Sequence, residues 1–87
     1  MHRIIIELQT VDQWYSVIRE ANTWFGPKNW RGQNHVRKKL ERNNMWITAA
    51  PGLETKFVPV WFDVPDPQFA TWVKLKYALP GDVKTTK

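Results

Sequence analysis

The chain has 87 residues, 43% of them hydrophobic, with six Trp, four Phe, two Tyr and no Cys. That is enough apolar material for one small core, so residues 1–81 are expected to form a single domain with 82–87 as a polar tail. A chain disordered from end to end is excluded, and so are disulfide-stapled modules and cysteine-ligated zinc or iron–sulfur sites.

The formal charge is +5, from 13 Lys and Arg against 8 Asp and Glu. Its location says more than its size. Between residues 28 and 42 lie Lys28, Arg31, Arg37, Lys38, Lys39 and Arg42 against Glu41 alone, so the whole excess sits in that window as a local electrostatic footprint. The first apolar run ends at Gln9, short of a signal peptide's hydrophobic segment, and nothing approaches the roughly 20 apolar residues of a membrane span. A cytoplasmic protein with no membrane partner is the expectation.

Arg3-Ile4-Ile5-Ile6-Glu7-Leu8-Gln9 reads as a first strand, with Ile4, Ile6 and Leu8 on one face and Arg3, Ile5, Glu7 and Gln9 on the other. A helix follows, announced by the capping box Thr10-Val11-Asp12-Gln13 and stopped by Gly26-Pro27. Its apolar stripe is Trp14, Val17, Ile18, Ala21, Trp24 and Phe25. Residues 28–33 read as a polar loop holding Trp30. Residues 34–43 predict a second helix, with Val36 and Leu40 on its narrow apolar face.

Met45-Trp46-Ile47-Thr48-Ala49 predicts a short strand, joined through the Pro51-Gly52 turn signal to the longest strand run, Phe57-Val58-Pro59-Val60-Trp61-Phe62-Asp63-Val64. There Val58, Val60, Phe62 and Val64 form the buried face, and Pro59, which has no N–H, argues against full hydrogen bonding along both edges unless a bulge or a gap in the ladder absorbs it. Asp66-Pro67 is a helix start, and Phe69, Trp72, Val73 and Tyr77 then approximate a helical face; alternation over residues 72–77 keeps a strand reading open. Leu79-Pro80-Gly81 ends the element.

The predicted order is β-α-α-β-β-α, an α+β fold with a small, largely antiparallel sheet of three strands packed on two or three helices. It partly resembles the split β-α-β plait of RNA-binding and ferredoxin-like domains, whose fourth strand would have to come from residues 72–83.

Catalytic signals are sparse. Phosphate-binding glycine loops, the Gly-x-Ser-x-Gly elbow and the His-Glu-x-x-His pattern are all missing, so a non-enzyme without cofactor is the expectation. His2 and His35 would have to converge with Glu7 to hold a metal, and no metal site is assigned. Asp63 and Asp66 are the one close acidic pair, read as a strand end and a helix cap.

The basic window carries more. Lys28, Arg31, Arg37, Lys38, Lys39 and Arg42 can neutralise backbone phosphates of RNA or DNA, while Asn34 and His35 add polar contacts and Trp30 offers a ring for an unpaired base. Trp30 turned back into the core, and a basic helix docked on an acidic protein surface, are the competing readings. The second class of function is a small adaptor or inhibitor using an aromatic sheet face made of Ile5, Trp46, Phe57 and Trp61, a surface that would also serve a homodimer. A third helix laid over that face would abolish it.

Overall fold

The computed structural model describes residues 1–50, 52, 56–77 and 79. Two seven-residue strands, β1 (His2–Leu8) and β3 (Val58–Val64), pair antiparallel with Ile5 opposite Trp61. Alternation does the sorting. Ile4, Ile6 and Leu8 meet Phe62, Val60 and Val58 on the face toward the helices, and Arg3, Ile5 and Glu7 lie with Asp63, Trp61 and Pro59 on the other.

Helix α1 (Val11–Phe25) starts where the sequence places it. Thr10 Oγ1 accepts from the Gln13 N–H at 3.2 Å, and Gln13 Oε1 accepts from the Thr10 N–H at 3.3 Å. Two of the orphan donors of the first turn are thereby satisfied. Gly26 ends the helix at φ 88°, a conformation closed to most side chains, while its N–H bonds Asn22 O at 2.9 Å.

The chain then makes a strand that the sequence reading missed. β2 (Arg31–Gly32) joins the outer side of β3, with Arg31 opposite Asp63 and Gly32 opposite Phe62, giving the order β1-β3-β2. Two residues carry too little pattern to be read as a strand. What fixes them is contact: a Cβ on Gly32 would stand 3.2 Å from both the Phe62 ring and the Trp30 ring. Beyond Gly32 the ladder is finished by Gln33, whose N–H bonds Trp61 O at 3.0 Å and whose side-chain oxygen accepts from the Trp61 N–H at 3.2 Å. Trp61 therefore turns its backbone groups toward β2, and so does Pro59 two residues earlier, past the end of β2. The missing donor of Pro59 falls where no strand needs it.

The strand predicted over residues 45–49 does not exist. α2 (Val36–Ala49) is one continuous helix, and the order is β-α-β-α-β-α. Val36, Leu40, Asn43 and Ile47 share its inner face, so the helix runs on through the aromatic and β-branched residues that suggested a strand. α3 (Gln68–Lys76) resolves the ambiguity after Pro67 as helix, with Asp66 Oδ1 accepting from the Gln68 N–H at 3.0 Å. No fourth strand is present among the described residues. The expected Pro51 turn, the Pro80-Gly81 stop and the tail at 82–87 lie outside them.

All three helices pack on one side of the sheet. The core joins Ile4, Ile6 and Leu8 to Val17 and Ala21 of α1, Val36 and Leu40 of α2, and Phe69 and Val73 of α3. Each large side chain buried this way contributes on the order of 1.5–3 kcal/mol against the entropy of ordering. Trp24 bridges α1 and α3, its ring centroid 5.3 Å from both Phe69 and Trp72. Glu20 adds a polar clasp between the same helices, accepting from Lys76 Nζ at 2.6 Å and the Tyr77 hydroxyl at 3.0 Å. These donors hold the Glu20 carboxyl below its ordinary range.

Candidate nucleic-acid interface

The basic window does not form one patch. Arg31 sits on β2 opposite Asp63, so its side chain belongs to the bare face of the sheet, with Nη2 3.8 Å from Asp63 Oδ2. Trp30 is half-buried against the core, its indole N–H donating to Asn22 Oδ1 at 2.8 Å and its ring centroid 6.1 Å from that of Phe62. It is the core anchor rather than a free stacking platform. Lys28, Asn34 and His35 are exposed in the turns flanking β2, and His35 precedes α2 in the left-handed conformation at φ 62°.

The remaining residues are sorted by the 3.6-residue turn of α2. Arg37 and Glu41 lie on one flank and neutralise each other, Nε to Oε2 at 3.0 Å. On the other flank stand Lys39, Arg42 and Trp46, with Lys38 beside them, and none of these three cations makes an ion pair among the described residues. That flank faces a groove of about 400 Å³ between α2 and the start of β3, the part of β3 that pairs with β1 but that β2 does not reach. Phe57, Val58, Pro59 and Trp46 supply its apolar surface, and Lys39, Arg42 and Lys56 bring positive charge to it. Lys56 Nζ stands 5.2 Å from the Trp46 ring centroid.

Asn43 builds the groove's inner wall. It is only 4% exposed, and its Nδ2 donates to Gln9 O at 2.8 Å and Lys56 O at 3.2 Å, tying the β1–α1 turn to the approach of β3. Those two carbonyls fix the orientation of the amide, which leaves Oδ1 buried with no donor among the described residues.

Asp63 and Asp66 are otherwise occupied. Arg3 binds Asp63 through Nε and Nη2 at 2.9 and 3.1 Å, and its guanidinium carbon stacks 3.9 Å above the Trp61 ring centroid. The hydrogen bonds from Arg3, with further attraction from Arg31, hold the Asp63 carboxyl below its usual range. Asp66 caps α3. No group of three or more His, Asp or Glu is placed to hold a metal ion among the described residues.

Of the residues expected on an aromatic sheet face, Ile5 and Trp61 are there and α3 does not cover them, whereas Trp46 lies on α2 and Phe57 precedes β3 in the groove. Sequence reasoning missed Lys56 and the partnership of Trp46 with Lys39 and Arg42. The i, i+3, i+7 spacing of those three was the available signal, hidden once residues 45–49 were read as strand. Comparison with known proteins finds no matching family model, curated protein or solved structure.

Proposed function

We propose that the protein is a non-catalytic module that binds single-stranded nucleic acid in the groove between α2 and β3. The observation that carries this reading is the convergence of three cations that make no ion pair among the described residues, Lys39, Arg42 and Lys56, on an apolar groove that contains Trp46. Cations at a groove's rim suit successive phosphates, and an indole beside them suits an unpaired base. An acidic peptide would satisfy the cations but leave the apolar surface without a flat partner, so a polynucleotide uses more of the site.

Fluorescence anisotropy of labelled single-stranded and duplex oligonucleotides at several salt concentrations tests it. Three phosphate contacts on a single strand give a slope of log K against log salt near about −2. Lys39→Glu/Arg42→Glu abolishes binding, and Trp46→Ala weakens it roughly 5- to 150-fold, the equivalent of one stacked base. Arg37→Ala leaves affinity unchanged, because Arg37 lies on the neutralised flank. No binding at low salt, or equal losses from the Arg37 and Lys39/Arg42 variants, refutes the assignment.

A second reading rests on the sheet's bare face, where Ile5 is 55% exposed beside Trp61. It calls for a protein partner.

A further inference from the structure

The two edges of the sheet are built differently. β3 beyond Gly32 is an edge blunted by Pro59 and by the Gln33 side chain, both of which discourage another strand. β1 is an edge along its whole length, and it has no Pro, no Gly, no Lys and no bulge in its register. Because Val58, Val60, Phe62 and Val64 turn their backbone groups toward β1, their partners Leu8, Ile6, Ile4 and His2 turn theirs inward. The N–H and C=O groups of Arg3, Ile5 and Glu7 therefore point outward, and no backbone hydrogen bond to them is formed among the described residues.

The sequence of this edge is complementary to itself. Reversed about Ile5, His2–Leu8 sets Arg3 opposite Glu7, Ile4 opposite Ile6, and Ile5 opposite Ile5. We propose that β1 pairs antiparallel with β1 of a second copy of this chain about a twofold axis at Ile5, fusing the two sheets into one of six strands. The outward groups of Arg3, Ile5 and Glu7 give about six interchain hydrogen bonds in this register, two for each hydrogen-bonded pair.

The side chains agree with the backbone. Arg3 spends Nε and Nη2 on Asp63, which leaves Nη1 for the other copy's Glu7, and Glu7 makes no ion pair among the described residues. Opposite charges directly across a ladder stabilise it, and this register supplies the pair twice. On the same face Ile5 of each copy covers the other, so the exposed Ile5 and the half-buried Trp61 become one apolar band across the junction. The charges of that face cancel, Arg3 and Arg31 against Glu7 and Asp63, and the basic flank of α2 lies on the opposite side of the sheet. Self-association therefore brings no excess of like charge together at the seam.

The test uses the full chain in analytical ultracentrifugation from micromolar to millimolar concentration, with circular dichroism as the check on folding. The chain is expected to dimerise. Glu7→Arg, which opposes Arg to Arg3 at both ends of the seam, raises the dissociation constant at least about tenfold. Arg3→Glu does the same, and an equal mixture of the two variants recovers a heterodimer, since each then meets opposite charge at both positions.

Should Arg3→Glu unfold through loss of its Asp63 contact, cysteine variants decide the matter, since the chain has no Cys of its own. At the axis the facing Cα atoms stand about 5.5 Å apart, within disulfide range, so oxidised Ile5→Cys cross-links to itself. Glu7→Cys, facing Arg3, does not. A monomer at every concentration, a dimer indifferent to Glu7→Arg, or cross-linking of Glu7→Cys as readily as Ile5→Cys overturns the proposal.

Discussion

Replacing Asn43 tests how the groove is held. Its amide is the one polar group in the inner face of α2, and both its donors end on backbone carbonyls of other segments, Gln9 O and Lys56 O. Asn43→Leu keeps the branched outline of the side chain at a somewhat larger volume and removes both donors. Each carbonyl left without its partner costs about 1–3 kcal/mol, offset in part because the leucine also removes the buried, undonated Oδ1. A net loss of roughly 2–4 kcal/mol follows, within reach of the whole stability of a domain this size.

Asn43→Asp separates the hydrogen bonds from the packing. A carboxylate facing two carbonyls in a site 4% exposed is disfavoured, so its folded pKa rises above the unfolded value of about 4. A carboxyl whose folded pKa is raised is most favourable to the fold when protonated. The variant's deficit therefore grows as pH climbs from about 4 toward the folded pKa and levels off above it. Urea denaturation followed by circular dichroism at pH 4 and pH 7 reads both effects. An Asn43→Leu variant within about 0.5 kcal/mol of the parent, or an Asn43→Asp deficit that shrinks as pH rises, refutes the reasoning.

Other expectations concern the elements around the groove. Gly32→Ala puts a Cβ 3.2 Å from the Phe62 and Trp30 rings and is expected to cost about 1–3 kcal/mol, read as a lower urea midpoint and as altered Trp fluorescence; an unchanged midpoint would mean that the rings yield freely. His35→Asn places a residue more tolerant of positive φ at the start of α2, so the melting temperature should rise by about 1–3 °C, equivalent to a few tenths of a kcal/mol. The carboxyls of Glu20 and Asp63, both held below their ordinary values, stabilise the fold above their unfolded pKa values of about 4 and lose that contribution as pH falls through their lower folded ones. Acid unfolding in the double variant Glu20→Gln/Asp63→Asn should therefore be less steep below about pH 4, and an identical acid profile would exclude both groups as its source.

Where one physical rule governed a segment, the sequence was legible. The Thr10–Gln13 capping box, the alternation in β1 and β3, and the Asp66 cap each rest on local chemistry that reads without tertiary information. Residues 45–49 were misread because propensity and periodicity conflict there. Asn43 interrupts the apolar stripe of α2, and its burial makes sense only once the carbonyls of Gln9 and Lys56 are known to meet it. β2 was illegible for a related reason: Arg31 and Gly32 pair because β3 offers an edge and the Phe62 and Trp30 rings crowd the place of a Cβ at residue 32, neither of which is a property of residues 31–32.

The same logic explains why a charge count along the chain overstates the candidate site. Residues 28–42 concentrate the net charge, yet a strand, a turn and a helix pass through that window and aim its cations in three directions. Arg31 ends beside Asp63 on the bare face of the sheet, Arg37 pairs with Glu41, and only Lys38, Lys39 and Arg42 remain together on the groove's flank. Lys56, far along the chain, completes the set. Charge reversal at Arg37 and at Arg42 alters the window's count equally, so the count predicts equal losses of polynucleotide affinity. The fold predicts loss at Arg42 alone, and measuring the two single variants side by side at one salt concentration decides between a diffuse basic segment and a built groove.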